Sequence, residues 1–130
     1  MLGSHYRTAL MLVVFLWMPT MVRAQFTFIT NADNTLTITA YSGTNSELVI
    51  PGTTNGYTVT SIGTNACFFN TSLVAVTIPD TITSIGANAF EFCTAITNIV
   101  IPDSVIGVGT DAFSGLSTVQ TIVIGNGVTK

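Results

Sequence analysis

From Gln25 onward the chain has no histidine and no arginine, and its only basic residue is Lys130. Without histidine, neither a Ser–His–Asp nor a Cys–His catalytic arrangement can form there. Zinc sites built from His and Cys clusters are excluded on the same ground. One cation stands against six carboxylates (Asp33, Glu47, Asp80, Glu91, Asp103 and Asp111), a formal balance of −5. Such a surface cannot neutralise a row of phosphates, so nucleic acid is not an expected partner. It offers no polybasic patch for anionic lipid either. Charged residues make up only 7% of the whole chain. What fills the sequence instead is Thr, Asn, Ser and Gly among β-branched aliphatics, a composition of strands and turns.

Long apolar runs are also scarce. One occurs, Ala9 to Met18, preceded by His5 and Arg7 and broken by Pro19. Val22-Arg23-Ala24 follows with residues tolerated at a cleavage site. This is the pattern of a secretory signal peptide over 1–24. Ten residues are too few to cross a bilayer, which takes about 20. Cleavage after Ala24 leaves a chain beginning at Gln25, with no membrane insertion; an uncleaved N-terminal anchor is the alternative. Export places Cys67 and Cys93 where a disulfide is permitted.

The remainder repeats every 23 residues. Ile62-Gly63 recurs as Ile85-Gly86 and Val108-Gly109; Ile78-Pro79 recurs as Ile101-Pro102 and Ile124-Gly125. Ala66-Cys67 becomes Ala89-Phe90 and Ala112-Phe113. A fixed period in the twenties marks a solenoid, whose coils stack only on their neighbours. Val76-x-Ile78 has strand spacing, with Ala75 and Thr77 facing the other way. A second extended stretch runs through Thr83-Ser84-Ile85. Gly63, Gly86 and Gly109 stand where the chain must turn tightly or take positive φ. Asn65, Asn88 and Asp111 follow, as N-caps of one helical turn per coil or as ordinary turn residues. Before the repeats, Phe26–Thr30 and Leu36–Ala40 alternate around a turn cluster and predict a β-hairpin. Residues 25–46 are read as a cap and 47–130 as about three and a half repeats. Five extra residues lie within Gly52–Thr58, where Asn55-Gly56 marks a surface turn. Val59 then restores register with Ile82, Val105 and Val128.

The pattern Leu73-x-x-Val76-x-Ile78-Pro79-x-x-Ile82-x-x-Ile85-Gly86-x-x-Ala89-Phe90-x-x-Cys93 closely resembles the BspA-like class of leucine-rich repeats. The likeness covers about residues 36–130. It implies a leucine-rich-repeat-like, right-handed, curved solenoid with a parallel β ladder on one face. It also implies secretion or cell-surface display, and adhesion or protein–protein recognition without catalysis. Cys67 departs from the family's Phe, Gly125 from its Pro, and Ile106-Gly107 from Thr83-Ser84. Lys130 falls in mid-repeat with no polar C-terminal cap, so the array is expected to continue or to be covered by something else.

Few positions carry chemistry. Cys67 and Cys93 occupy different columns of adjacent coils, about three residues out of register. Bridging needs Cα atoms within about 7 Å, so two buried thiols are expected. Asp80 and Asp103 share a column, near enough for a carboxylate pair or a weak calcium site, but Ile-Pro-Asp is ordinary turn sequence. Asn70-Thr71-Ser72 is a glycosylation sequon or simply a polar turn. No catalytic, cofactor-binding or metal-ligating set emerges. The candidate ligand-facing residues are Ala75, Thr77, Asn98, Val100, Thr121 and Val123, on the strand face away from the core. The expected partner is a protein or a glycan. The alternatives are a structural spacer of a larger envelope protein and a truncated fragment without independent function.

Overall fold

The structure, a computed structural model, describes residues 25–129, so the expected leader at 1–24 lies outside the described residues. The N-terminal hairpin is present: β1 (Phe26–Thr30) pairs antiparallel with β2 (Leu36–Tyr41). Its turn is held by the Asn31 N–H donating to Thr35 O at 2.8 Å. Next come β3 (Glu47–Val49), β4 (Thr53–Thr54) and β5 (Tyr57–Ile62). β4 and β5 form a small antiparallel hairpin around Asn55-Gly56, at φ 50° and 80°. Two consecutive positive φ values are what Asn-Gly supplies in a tight hairpin turn. The five-residue insertion is thus folded back on its own coil.

The repeats then alternate between two sheets. β6 (Ala75–Thr77), β8 (Asn98–Ile101) and β10 (Thr121–Ile124) stack in parallel with β3, in the order β10-β8-β6-β3. β7 (Ser84–Ile85) and β9 (Gly107–Val108) stack in parallel on β5, and β2 of the hairpin covers the other side of β5. The registers reproduce the 23-residue offset: Val76 faces Ile99, and Ser84 faces Gly107. Between the sheets lies one apolar core, in which Val59, Leu73, Ile82, Phe90, Ile96 and Val105 have no exposed surface. Phe90 stacks on Phe113 with centroids 5.5 Å apart and planes 4° from parallel.

Two expectations are corrected. There is no helical turn in the described coils. Asn65, Asn88 and Asp111 sit at φ 56–59°, in the left-handed region, which cannot begin a right-handed helix. Alternate amides in this stretch instead reach the next coil: Asn88, Phe90 and Phe92 donate to Thr110, Ala112 and Ser114 carbonyls at 2.8–3.0 Å. The intervening amides of Ala89, Glu91 and Cys93 close short turns to the carbonyl three residues back. The turn reading of this column therefore holds and the N-cap reading does not. Secondly, Gly63, Gly86 and Gly109 are not at positive φ. Their reason is close approach: a Cβ on Gly86 would lie 2.5 Å from Thr64 N, and one on Gly109 2.3 Å from Ala87 N. These are backbone atoms of the preceding coil, which have nowhere to go.

Two stability tests follow from this packing. Gly109→Ala is expected to cost about 1–3 kcal/mol through overpacking against backbone, read as a lower midpoint in urea unfolding. Phe90→Ala removes a fully enclosed ring and is expected to cost about 3–5 kcal/mol; an unchanged midpoint would contradict the stacked core.

Candidate ligand-facing surface

The pleat of the four-strand ladder sends Val76, Ile78, Ile99 and Ile101 inward and leaves alternate side chains in solvent. Ala75, Thr77, Asn98, Val100, Thr121 and Val123 are all exposed and all on this outer face. Parallel register brings them into two rows. Ala75, Asn98 and Thr121 face one another across the strands, as do Thr77, Val100 and Val123. β3 extends each row by one residue, Glu47 beside Ala75 and Val49 beside Thr77. These two are absent from the sequence-derived set, although Leu48-Val-Ile-Pro51 already matches Val76-Thr-Ile-Pro79. The signal is therefore present in the sequence: with Leu48 and Ile50 inward, strand alternation places Glu47 and Val49 outward. One row is mostly apolar, with Val49, Val100 and Val123 exposed at 69, 55 and 49%. The other is polar and carries the face's single carboxylate, Glu47, at one end.

Of the remaining candidates, Asp80 stands exposed, while Asp103 and Asn70 hold turns in place. Asp103 Oδ1 accepts from the Asn126 N–H at 2.7 Å, tying its turn to the next coil. Asn70 Nδ2, the atom a glycan would take, donates to Gly43 O at 2.9 Å, and Asn70 Oδ1 accepts from Ser72 N–H. This is a polar turn closing onto the cap. A cleft of about 180 Å³ lies at the free edge of β3, lined by Gln25, Phe26, Tyr41, Asn45 and Glu47–Val49. Among the described residues, no group of three His, Cys, Asp or Glu side chains converges on a point, and no helix is long and apolar enough to cross a membrane.

Compared with known proteins, residues 24–130 match the family described as "BspA type Leucine rich repeat region", in six copies. Among solved structures, a leucine-rich repeat protein from Bacteroides ovatus superposes with a TM-score of 0.73 at 28% identity, over 84% of this chain and 30% of that one. A leucine-rich repeat protein from Bacteroides capillosus gives 0.58 at 26% identity, over 81% and 96%. The chain thus spans less than a third of the length of the first of these. No curated protein matches it.

Cys67 and Cys93 are buried and unbridged, as their offset implies. Cys93 Sγ donates to Cys67 O at 3.1 Å. Burial pushes the Cys67 thiol up to about 12, helped by the neighbouring Cys93, and burial pushes Cys93 up to about 11. Both are therefore protonated and unreactive at neutral pH. In the unfolded chain each ionises near its ordinary value of 9.0. Above that pH the unfolded state releases protons that the folded state keeps, so stability is intact below pH 9 and declines from there towards the folded values. A melting temperature that is unchanged between about pH 6 and 8 and falls on alkalinisation is expected. A Cys67→Ala, Cys93→Ala variant should lose part of that fall, and native wild type should resist a thiol reagent that labels it fully in denaturant.

Proposed function

Because the chain belongs to the BspA-type leucine-rich repeat family, we propose that it is a non-catalytic binding module, exported to the cell surface or medium. Its outer ladder face contacts a protein or glycan ligand. The observation that carries this reading is the apolar row. A sheet face that had only to meet water would hold polar β-formers throughout. Here Val123 and Val100 project from neighbouring strands about 4.8 Å apart, Thr77 follows with its methyl, and Val49 closes the row on β3, beside a second row able to donate and accept hydrogen bonds. Apolar area rimmed by polar side chains is the usual composition of a contact surface. The ladder is rigid, since every strand but the outer two is bonded on both sides, so little ordering entropy is lost on binding.

Export rests on the leader pattern at 1–24 and on family membership. The absence of catalysis rests on the lack of histidine from Gln25 onward and on the turn-binding role of Asp103.

The test is a screen of the full chain against extracellular proteins and glycans, followed by Val100→Glu. That substitution touches no core contact and is expected to shift the unfolding free energy by no more than about 1 kcal/mol. Its affinity for a ligand retained by wild type should fall about tenfold or more. Undiminished binding by Val100→Glu, or no ligand retained from a broad screen, would replace this reading with that of a spacer.

A further inference from the structure

A second exposed cluster lies away from the ladder, on the turns that join the two sheets. Phe68, Phe69 and Phe92 are 46, 63 and 39% exposed. Their ring centroids are 6.0–6.2 Å apart, and Phe92 meets both others edge to face. Phe69 and Phe92 are one period apart, and so are Phe68 and Glu91. The Phe69 N–H donates to Glu91 O at 2.8 Å, so the four residues form a two-by-two block across adjacent coils. Asn88 Nδ2 is bonded to Glu91 Oε2 and holds the carboxylate in place.

The block is retained against backbone preference. Phe69 and Phe92 sit at φ 58° and 57°, a region that bulky side chains avoid. The next coil has Gly115 at the same position, at φ 73°. Glycine therefore makes this turn without strain, and the two preceding coils use phenylalanine instead. Gly115 also makes room for the cluster, because a Cβ there would lie 2.4 Å from the Phe92 ring. Strained conformations kept where an unstrained residue would serve point to a role outside the fold.

We propose that Phe68, Phe69, Phe92 and Glu91 form a second docking site, for a protein segment that presents an arginine. The charge pattern selects this occupant. Aromatic faces carry negative potential and attract cations, and Glu91 adds a carboxylate to the same block, next to Phe92 in the chain and one coil from Phe68. Residues 25–129 contain no Arg, Lys or His, so the chain has no described cation to offer the block. A second copy of the chain would bring the same negative groups. Arginine suits the geometry better than lysine, since its planar guanidinium stacks on a ring while pairing with a carboxylate.

The probe is a labelled hexa-arginine peptide titrated into the full chain. Phe69→Gly with Phe92→Gly, which changes no charge, is expected to weaken binding about fivefold or more. Glu91→Gln should do likewise, whereas Asp80→Asn, the same change in net charge at an exposed turn elsewhere, should leave affinity within about twofold. The double glycine variant should unfold at no lower denaturant concentration than wild type, because it relieves two strained residues. A merely structural cluster would show a loss there. Equal peptide affinity in wild type and the double variant overturns the proposal, as does equal weakening by Glu91→Gln and Asp80→Asn. Ring-dependent binding of a neutral oligosaccharide, or ring-dependent self-association, with no response to the peptide overturns it as well. If the double glycine variant fails to fold, Phe68→Ser and Glu91→Gln decide by the same criterion.

Discussion

Everything in this molecule depends on main-chain hydrogen bonds between successive coils. Thr83 N–H donates to Thr60 O at 2.8 Å, Ile106 to Thr83 at 2.9 Å and Thr129 to Ile106 at 3.2 Å. On the opposite ladder Thr97 donates to Val74 and Gln120 to Thr97. Each bond joins residues 23 apart and returns the chain to the same place one strand spacing higher. These ladder amides donate to the preceding coil, whereas Ile50 and alternate amides at residues 65–69 and 88–92 donate to the following one. Every coil is thus both donor and acceptor to its neighbour, and a lone coil would leave these groups unpaired. Threonine hydroxyls follow the same route, as Thr83 Oγ1 to Thr60 O and Thr129 Oγ1 to Ile106 O show.

This spacing explains the residue choices that recur. Backbones one strand apart leave no room for a Cβ at Gly86 or Gly109. The same spacing rules out a helix at the corner. A helix would turn its amides inward to its own carbonyls, whereas the corner amides are committed to the next coil. The left-handed residues Asn65, Asn88 and Asp111 provide the kinks that let every second amide point along the stack. Core columns then follow without further specification, Val59–Ile82–Val105 and Ala66–Ala89–Ala112 among them. At the far strand the condition lapses: Ile122 and Ile124 continue the columns of Ile99 and Ile101 but stand 44 and 60% exposed, β10 being the outer strand of the ladder among the described residues.

The polar groups are mostly used up by this scheme. Asp103, Asn70 and Asn88 bond to backbone or to a neighbouring side chain, and the thiols are enclosed. What stays exposed is apolar area: the valine-bearing row of the ladder on one side and the phenylalanine block on the corner. Both are repeated positions filled with residues that the repeat itself does not demand.

Much of this was legible in the chain alone. The period, the N-terminal hairpin, the Asn-Gly turn and the outward strand residues from Ala75 to Val123 all follow from local pattern, because strand alternation and turn chemistry act over a few residues. Offset columns likewise predicted the unbridged cysteines. Three things required the stacked coils. The glycine column reads as a tight turn or as positive φ, and only the neighbouring backbone reveals that close approach is its reason. The Asn column reads equally as N-cap or as turn until its amides are seen to bond forward. The phenylalanine block joins Phe68 and Phe69 to Phe92 across 23 residues, so it is not a sequence neighbourhood at all. Sequence determines what each coil contains; contact between coils decides which of its side chains meet and which face water, because that depends on a distance no single coil possesses.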